Sequence, residues 1–276
     1  MATSIRLFKG AFGHVSVLNV ESDFVTHAHP EAHIIVWIDG AAGRMTVGDG
    51  TVHLGATTAA AINPLEPHSH ALAGEGRPGL FLAFYLDPIW VRLRRGLPPG
   101  APLFVEPTIP LEPWLHRAAA SLLDMLCDDY GLDDLAPYEI ERLIDSLLDA
   151  ADEAHPRRLR GLPATAMLDH RIRKAIDLMK GNVCERMSLD DVAREVGLSR
   201  PHFFALFKEQ TSLTPNVYWN TLRMDEALRQ LRSTQEPLVS VACQLGFTTA
   251  GNFSRFFRDH AGVPPTLYRE AARAGL

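Results

Sequence analysis

The hydrophobic pattern predicts a β-rich N-terminal part of the chain. Runs rich in β-branched and aromatic residues alternate with turn signals such as Asp39-Gly40 and Asn63-Pro64. Runs of this kind, bounded by Gly, Pro, Asn and Asp, are typical of β-strands. The predicted strands cover residues 15–20, 34–38, 43–47, 58–62 and 80–86. Many short strands at this spacing predict a sandwich or a jelly-roll barrel.

The pattern then changes to helical spacing. Apolar residues recur every three or four positions at residues 114–130 and again at 137–151, which predicts two amphipathic helices. Asp133 and Asp134 lie between them and suit a short loop. Two amphipathic helices joined by a short loop form an antiparallel pair.

The last third of the chain contains one unit twice. The matching residues are Val192 and Val241, Ala193 and Ala242, Gly197 and Gly246, Phe203 and Phe253, and Phe207 and Phe257. The glycines are 49 residues apart and the phenylalanines 50, so the second copy has one extra residue between them. An internal repeat of this length indicates a duplicated structural unit.

Each copy has the pattern of a helix-turn-helix. In the first copy, Ser188 and Asp191 predict a capped helix start, and Gly197 suits the left-handed backbone of a helix end. Pro201 then fits the first turn of a second helix. The two phenylalanines of each copy are four residues apart and therefore share one face of that helix. Units of this kind present their second helix to the major groove of DNA.

The C-terminal part resembles the DNA-binding domain of AraC/XylS-type transcriptional regulators. The family signature is seen in Gly246-Phe247-Thr248, in residues 252–258 and in residues 262–269. The resemblance covers residues 172–269. It implies that a long helix, predicted at residues 216–231, holds the two units about one DNA turn apart, so that one chain meets two adjacent major-groove segments.

Polar and basic residues on the two predicted recognition helices are candidates for DNA contact. They are Arg200, His202, Phe204, Lys208, Thr249, Asn252, Ser254, Arg255 and Arg258. Asn252 suits adenine and Arg255 suits guanine. Lys208 and Arg258 occupy matching positions and suit phosphates, which position the protein without specifying a sequence. Phe204 has two alternatives, contact with a thymine methyl group or burial in the core.

The charge is divided unevenly along the chain, whose net charge is −6. Residues 1–169 have 12 Lys and Arg against 22 Asp and Glu, a net charge of −10, whereas residues 170–276 have 15 against 11, a net charge of +4. Basic charge at the repeat agrees with contacts to DNA phosphates. Residues 154–168, with two prolines and three arginines, predict an exposed linker.

Composition indicates a globular protein of two domains. The chain has 276 residues, 46% of them hydrophobic and 22% charged, which allows a sizeable core. The sequence has no run near the roughly 18 apolar residues of a membrane span, and its first ten residues lack the apolar segment of a signal peptide. Cys127, Cys184 and Cys243 have no metal-like spacing and predict reduced thiols. We therefore expect a cytoplasmic protein.

The N-terminal part resembles a cupin, the effector-binding domain that commonly precedes such a DNA-binding domain. His27, His29 and His33 lie at odd positions of one predicted strand region and would share a face. His68 lies roughly where a cupin has its later histidine, and His33 stands in place of the cupin glutamate. Neutral imidazoles suit Zn, Fe, Ni or Cu. The resemblance therefore implies a metal held by His27, His29, His33 and His68.

The alternative is a pocket that binds a small organic effector without metal. The predicted effector-binding residues are His27, His29, His33, Trp37 and His68. Trp37 has the same parity along the strand as the histidines, and it either stacks on a ligand or packs in the core. His70 and Glu31 are weaker metal candidates.

These observations predict a ligand-responsive, sequence-specific DNA-binding transcriptional regulator of the α+β class. Its expected parts are a cupin-like barrel at residues 1–110, a helical pair at 111–153, a linker at 154–168 and a double helix-turn-helix domain at 169–276. The alternative function is a metal-dependent cupin enzyme, a dioxygenase or isomerase, with a regulatory DNA-binding domain. We expect the regulator and no enzyme.

The expected partners follow from the resemblance. They are double-stranded promoter DNA, a small-molecule effector and, for an activator, RNA polymerase. The family also implies a homodimer through residues 111–153. The alternative for these helices is that both apolar stripes pack against the barrel.

Overall fold

The computed structural model describes residues 3–72, 77–98, 101–127, 135–156, 169–184, 187–211, 213–261 and 263–274. The predicted linker arginines Arg157, Arg158 and Arg160 and the Asp133-Asp134 loop lie outside these ranges. Among the helices within them, none has both the length and the hydropathy that crossing a bilayer requires.

The N-terminal part is a sandwich of two antiparallel sheets, to which the described residues contribute ten strands. They are β1 (Thr3–Gly10), β2 (Gly13–Val20), β3 (Phe24–His27), β4 (Ala32–Gly40), β5 (Gly43–Val47), β6 (Gly50–His53), β7 (Thr58–Ile62), β8 (His68–Leu72), β9 (Gly79–Leu86) and β10 (Thr108–Pro110). The larger sheet has the order β1-β2-β9-β4-β7-β10, and the smaller has the order β3-β8-β5-β6. The five predicted strands are all present, and the α+β class is confirmed.

The central strands of the larger sheet are buried on both faces. On β9, Phe81 and Ala83 belong to the core between the two sheets, whereas Leu82 and Phe84 belong to the core on the opposite face. This double burial explains why β9 is a continuous apolar run. Strand β5 alternates between buried and exposed residues instead, because only one of its faces is covered.

Helices cover the outer face of the larger sheet. They are α1 (Pro88–Arg95), α2 (Pro113–Cys127) and α3 (Ala136–Ala154). The buried stripes of the last two join the same core as Leu82 and Phe84, through Leu115, Ala119, Leu122, Leu126, Ile140, Leu143, Ile144, Leu147 and Leu148. Both apolar stripes therefore pack on the barrel. A dimer through residues 111–153 would have to use outward side chains such as Trp114 and Tyr138, which are 53% and 66% exposed.

Helix α1 has no counterpart among the predicted elements. The Asp87 side chain accepts hydrogen bonds from two backbone N–H groups of its first turn, and Pro88 follows at the first helical position. Gly96 ends the helix with a left-handed φ of 61°. Arg94 and Arg95 form ion pairs with carboxylates of α3, so α1 and α3 are tied together at the sheet.

All the regular secondary structure among the described C-terminal residues is helical. They form α4 (His170–Gly181), α5 (Leu189–Glu195), α6 (Arg200–Thr211), α7 (Pro215–Ser233), α8 (Leu238–Gln244), α9 (Ala250–Ala261) and α10 (Pro265–Ala274). The pairs α5–α6 and α8–α9 are the two helix-turn-helix units, and α7 joins them. Both turn glycines are left-handed, with φ of 71° at Gly197 and 77° at Gly246.

The two units differ in the turn. In the first unit four residues (196–199) separate the helices, and in the second five residues (245–249) do so. The extra residue of the second copy is therefore accommodated before α9. The predicted capping box is also present, since the Ser188 hydroxyl accepts from the Asp191 N–H and the Asp191 carboxylate accepts from the Ser188 N–H.

The barrel packs directly against the DNA-binding domain. Ala28 of the barrel is part of the core around the first helix-turn-helix unit, and Leu7 of β1 is part of the core around the second. The Thr221 hydroxyl on α7 donates a hydrogen bond to the Ala28 carbonyl at 3.1 Å. The two domains therefore share apolar and polar contacts on both halves of the DNA-binding domain.

The prediction that three histidines share one strand is wrong. His27 ends β3 and His33 lies in β4, while His29 lies in the connecting loop at residues 28–31. Pro30 breaks the strand there, because it has no N–H to donate and restricts the residue before it. The histidines still converge, because β3 and β4 belong to opposite sheets.

We predict that Ile144→Ala lowers the free energy of unfolding by about 2–5 kcal/mol, since it leaves a cavity in a well-packed core. Ile144 is fully buried between α3 and the sheet. Urea unfolding of the two proteins measures the difference. Trp114→Ala, on the outward side of α2, is the control and should change stability by no more than about 0.5 kcal/mol. An unchanged urea midpoint in Ile144→Ala would contradict the packing of α3 on the barrel.

Candidate functional site

A histidine-lined cavity lies where the end of the barrel meets α9. Its wall comes from both sheets and from the second helix-turn-helix unit. The lining residues that matter for its chemistry are His27, His29, His33, His68, His70, Tyr85 and His260. The remaining wall is apolar and includes Phe24, Met45 and Phe81. Polar groups that converge in an otherwise apolar cavity are typical of a binding site.

Strand pairing explains why the histidines meet. His27 and His68 are directly opposite each other in the β3–β8 pair, and their ring centroids are 4.4 Å apart. His29 contacts His27 from the loop with a centroid separation of 4.8 Å. Ligand nitrogens of His27, His29 and His68 all lie within 4.8 Å of one another. Three imidazoles at this spacing can hold one transition-metal ion.

His33 lies beside this group rather than within it. Its ring centroid is 4.7 Å from that of His29 and 5.3 Å from that of His68. Neither of its ring nitrogens has a hydrogen-bond partner among the described residues. A buried polar atom without a partner is costly and indicates a missing ligand or water. His33 therefore stays a predicted ligand, at the edge of the three-histidine group.

The cavity histidines are held in the neutral form. Burial lowers the pKa of His33 and of His68 to about 3, and it lowers the pKa of His27 and His29 well below 6.5. The neighbouring imidazoles add to this effect, because one charged ring disfavours charge on the next. Neutral imidazole is the form that coordinates a metal.

Backbone carbonyls orient three of the rings. The Nδ1–H of His27 donates to the Val25 carbonyl at 2.6 Å, and that of His68 donates to the Glu66 carbonyl at 2.9 Å. His260 makes the same bond to the Phe256 carbonyl at 2.7 Å. With Nδ1 protonated, each of these rings keeps its lone pair on Nε2. A second nitrogen fixed by a carbonyl is the usual outer arrangement of a metal-binding histidine.

The cavity volume is about 40 Å³. A single water occupies about 30 Å³ in the liquid, whereas pockets for organic ligands are about 300–1,000 Å³. The space between the histidines in this conformation therefore suits an ion with a water molecule. An organic effector of ordinary size does not fit there without movement of the wall.

Three weaker or alternative candidates have different positions. His70 is buried in the cavity wall, and its Nε2 has no hydrogen-bond partner among the described residues. A Cβ at Gly43 would lie 2.0 Å from that nitrogen, so a side chain at this position would displace the His70 ring. Trp37 is not in the lining; its ring stacks on His116, and its Nε1 donates to the Ala41 carbonyl. Trp37 is on the same side of β4 as His33 but lies four residues further along the strand, beyond the cavity. Glu31 faces a different space.

That space is a larger cleft between the barrel edge and α7. It has a volume of about 370 Å³ and is lined by Lys9, Gly10, Gly13, His14, Pro30, Glu31, Asp87, Pro88 and Arg232. Loss of water contact, followed by the Arg232 and Lys9 cations, lowers the pKa of His14 to about 3. His14 stacks on Tyr85 at 4.3 Å, and Tyr85 also contacts His33. Tyr85 lines the cavity and contacts His14 of the cleft, so it connects the two sites.

Sequence reasoning missed several residues of these sites, among them His260, Lys9 and Arg232. His260 lies on α9, and Lys9 and Arg232 lie on elements from different domains. No local pattern joins Lys9 to Arg232. The repeat contained a signal for His260. The matching position of the first copy, 50 residues earlier, is Gln210, so the two copies differ at this position.

The predicted DNA contacts lie on one exposed face of each recognition helix. Arg200, His202, Lys208, Thr249, Asn252, Arg255 and Arg258 are exposed, and Phe204 and Ser254 are half-buried. Phe204 packs against the core of the first unit, so its burial is the better supported of its two alternatives. Among the described residues, no acidic group is within ion-pair distance of Lys208 or Arg255. These two cations are therefore available for DNA.

Arg200 is engaged within the protein. Its guanidinium is 2.6 Å from an Asp190 carboxylate oxygen and 5.0 Å from the centre of the Phe204 ring. Both charged side chains are more than half exposed, and ion pairs of this kind are weak. Arg200 can leave Asp190 for a phosphate at little cost, and its role in DNA contact stays a prediction.

Two protein families match the chain. A family described as an AraC-like ligand binding domain matches residues 19–191. A family described as a helix-turn-helix domain matches residues 192–271. The first match covers more than half of the chain, and the two together span residues 19–271, which leaves β1 and most of β2 outside.

Curated relatives align with part of the chain. The chain is 28% identical over 155 residues to the HTH-type transcriptional regulator ArgR of Pseudomonas aeruginosa. The aligned segment is 56% of this chain and 46% of ArgR. It is 30% identical over 105 residues to the regulator GbdR of the same species, and this segment is 38% of this chain and 29% of GbdR. It is 29% identical over 91 residues to the transcriptional activator AarP of Providencia stuartii, and this segment is 33% of this chain and 67% of AarP. The alignment thus spans less than half of the first two relatives.

Solved structures match the whole fold. An apo variant of ToxT from Vibrio cholerae superposes with a TM-score of 0.58 over 97% of this chain and 100% of that chain, at 13% identity. Wild-type ToxT bound to an unsaturated fatty acid superposes with a TM-score of 0.55 over 97% and 96%, also at 13% identity. At this identity the likeness concerns the fold alone.

We predict that Arg255→Ala weakens binding to the preferred DNA site by about 1–3 kcal/mol and relaxes base preference at one position. The reason is the loss of a bidentate contact to guanine. Selection of binding sites from random DNA by the unaltered protein, followed by binding measurements on single-base variants, tests this.

Lys208→Ala is the matched comparison for Arg255→Ala. Loss of a phosphate contact should weaken binding to all sequences alike. It should also reduce the slope of log K against log salt concentration by about one. The assignment is contradicted by a uniform loss in Arg255→Ala, or by a loss in Lys208→Ala that depends on sequence.

Proposed function

We propose that this chain, which belongs to the AraC family of transcriptional regulators, binds promoter DNA in response to a ligand held between its two domains. The family match places an AraC-like ligand binding domain before the helix-turn-helix units. One observation carries the proposal: the histidine cavity is walled by the barrel and by α9, the helix that presents Asn252 and Arg255. A ligand in this cavity contacts both the sensing domain and a DNA-contacting element.

We propose that the ligand of the cavity is a divalent transition metal held by His27, His29 and His68, with His33 beside them. Neutral nitrogen donors favour Zn, Fe, Ni or Cu over Mg or Ca, which prefer oxygen. The cavity volume of about 40 Å³ also favours an ion over an organic molecule. A bound metal would link side chains of β3, of the loop that follows β3, and of β8.

The ligand acts by shifting a conformational equilibrium. Metal can change DNA affinity only if it binds one arrangement of the two domains more tightly than another. The contacts between Ala28 and the first unit and between Leu7 and the second define the arrangement seen here. Whether this arrangement activates or represses transcription depends on promoter geometry and on contacts with RNA polymerase.

We predict about one metal ion per chain after incubation with Zn²⁺ or Ni²⁺ and removal of the excess, measured by elemental analysis on protein without a histidine tag. His27→Ala, His29→Ala and His68→Ala should each lose it, because each removes one of three mutually close ligands. His53→Ala, an exposed histidine of β6, is the control and should retain it. Stoichiometric metal in the three cavity variants, or none in the unaltered protein, would refute the metal site.

A second candidate is an organic carboxylate in the larger cleft. ToxT, which shares the fold, has been solved with an unsaturated fatty acid bound. In this chain Lys9 and Arg232 face the cleft from different domains, and neither has an ion-pair partner among the described residues. Burial raises the pKa of Glu31 in the same wall. The volume of about 370 Å³ lies in the range for small ligands.

For this second candidate we predict that oleate raises the thermal midpoint of the unaltered protein, because a ligand that binds only the folded state stabilises it. Arg232→Ala should abolish the increase. Arg229→Ala, on the same helix and paired with Glu226, is the control. An equal increase in all three proteins would place oleate elsewhere, and no increase in any of them would eliminate a fatty acid as the ligand.

The enzyme alternative has less support. The curated relatives described above are transcriptional regulators, and the histidine group has no carboxylate among its three close ligands. A dimer through the outward faces of α2 and α3 also remains a proposal, supported by the exposure of Trp114 and Tyr138.

A further inference from the structure

His260 reaches the histidine cavity from the DNA-binding domain. Among the described lining residues, only His260 and the adjacent Ala261 belong to that domain. His260 is buried, and its ring centroid is 5.9 Å from that of His27. The imidazole thus closes a cavity whose other histidines all belong to the barrel.

The orientation of the His260 ring is fixed in the same way as that of two barrel histidines. Its Nδ1–H donates to the Phe256 carbonyl one turn earlier in α9, at 2.7 Å. The ring also packs against Phe256, with a centroid distance of 4.2 Å. Nδ1 is therefore occupied, and Nε2 carries the lone pair. A ring held by both a carbonyl and an aromatic neighbour loses little further freedom on binding an ion.

The internal repeat provides a comparison within the same chain. The position of His260 in the second copy corresponds to Gln210 in the first. The Gln210 side-chain oxygen accepts a hydrogen bond from the Asp169 N–H at 2.7 Å, at the start of α4. The first unit thus uses this position to hold its own domain together. The second unit uses it to face the barrel.

The loop that bears His29 also contacts the DNA-binding domain. Ala28 lies between two cavity histidines, its side chain packs in the core of the first helix-turn-helix unit, and its carbonyl accepts from Thr221. Any adjustment of His27 and His29 around an ion therefore moves a contact with α7. The cavity is linked to the first unit through this loop and to the second unit through His260.

We propose that His260 adds an imidazole to the metal group of His27, His29 and His68, so that the metal fastens the second recognition helix to the barrel. This inference rests on the proposed metal site and adds its regulatory consequence. Metal binding favours the docked arrangement of the two domains, and release of metal frees α9 to reorient.

Docking at His260 leaves the DNA-contacting face of α9 open. His260 continues the buried stripe of Phe253 and Phe257, whereas Asn252 and Arg255 are exposed. Asn252 and His260 are eight residues apart, about 12 Å along the helix axis. The metal and the DNA can therefore contact opposite ends of one helix, and the metal controls where that helix points.

The test uses the tag-free full chain, Zn²⁺ and Co²⁺ as probes, and His260→Gln, which introduces the residue of the first repeat. Zn²⁺ affinity is measured by competition with a chromophoric chelator, and Co²⁺ absorption reports the ligand set. DNA affinity is measured with and without Zn²⁺ on a site selected from random DNA. Thermal unfolding checks that the variant folds, and His260→Asn provides a second variant. His53→Ala is the matched control.

His260→Gln should still bind one Zn²⁺ but at least about tenfold more weakly, with an altered Co²⁺ spectrum. Zn²⁺ should change the DNA affinity of the unaltered protein by about 5–150-fold and that of the variant by no measurable amount. Unchanged Zn²⁺ affinity, Co²⁺ spectrum and DNA response in His260→Gln would overturn the role of His260 alone. An unaltered protein that binds no Zn²⁺ would overturn the underlying metal site as well.

Discussion

The junction between the two domains depends on the burial of neutral imidazoles with unused lone pairs. Six histidines line one cavity of about 40 Å³, and burial lowers the pKa of each. Buried polar atoms nearly always have partners, yet both nitrogens of His33 have none among the described residues. Metal coordination satisfies such lone pairs without requiring any ring to become charged. The arrangement is thus costly without a ligand and favourable with one.

The architecture puts this cavity where it can influence DNA binding. The larger sheet is buried on both faces and fixed by α2 and α3, so the barrel is a rigid support. The second recognition helix and the long connecting helix pack beside β3, and α10 packs beside β1. A change in the cavity therefore acts on elements that hold both helix-turn-helix units. The cleft that contains Lys9 and Arg232 crosses the same boundary, so either ligand candidate would alter the same interface.

Local sequence patterns predicted the helices and strands well, because each pattern depends on residues that are close together in the chain. The turn glycines, the capping box and the phenylalanine pairs of the repeat are each defined by residues a few positions apart, and all are found as expected. The cupin resemblance anticipated that His68 joins His27, and strand pairing across β3 and β8 brings them together. The shared strand face expected for His27, His29 and His33 is wrong, because His27 and His33 lie in different strands.

Long-range contacts were not predictable in this way. The docking of α1 involves ion pairs with α3, some 50 residues further along the chain, although Asp87, Pro88 and Gly96 are local signals for the helix itself. The contribution of His260 depends on how the two domains dock, which no pattern in either domain specifies. The position of Trp37 outside the cavity follows from its distance along β4, which parity alone ignores. Seven of the nine predicted DNA contacts are exposed, whereas Phe204 and Ser254 are half-buried. The roles of all nine stay predictions until DNA binding is measured.

The central claim is that histidines of both domains share one metal ion. X-ray absorption spectroscopy of the Zn²⁺-loaded protein tests it most directly, because it counts imidazole ligands around the ion. We predict a first shell of nitrogen or oxygen only, at about 2.0–2.1 Å, with multiple scattering from four imidazole rings in the unaltered protein and from three in His260→Gln. Sulfur at about 2.3 Å, or a shell that His260→Gln leaves unchanged, would contradict a metal shared by the two domains.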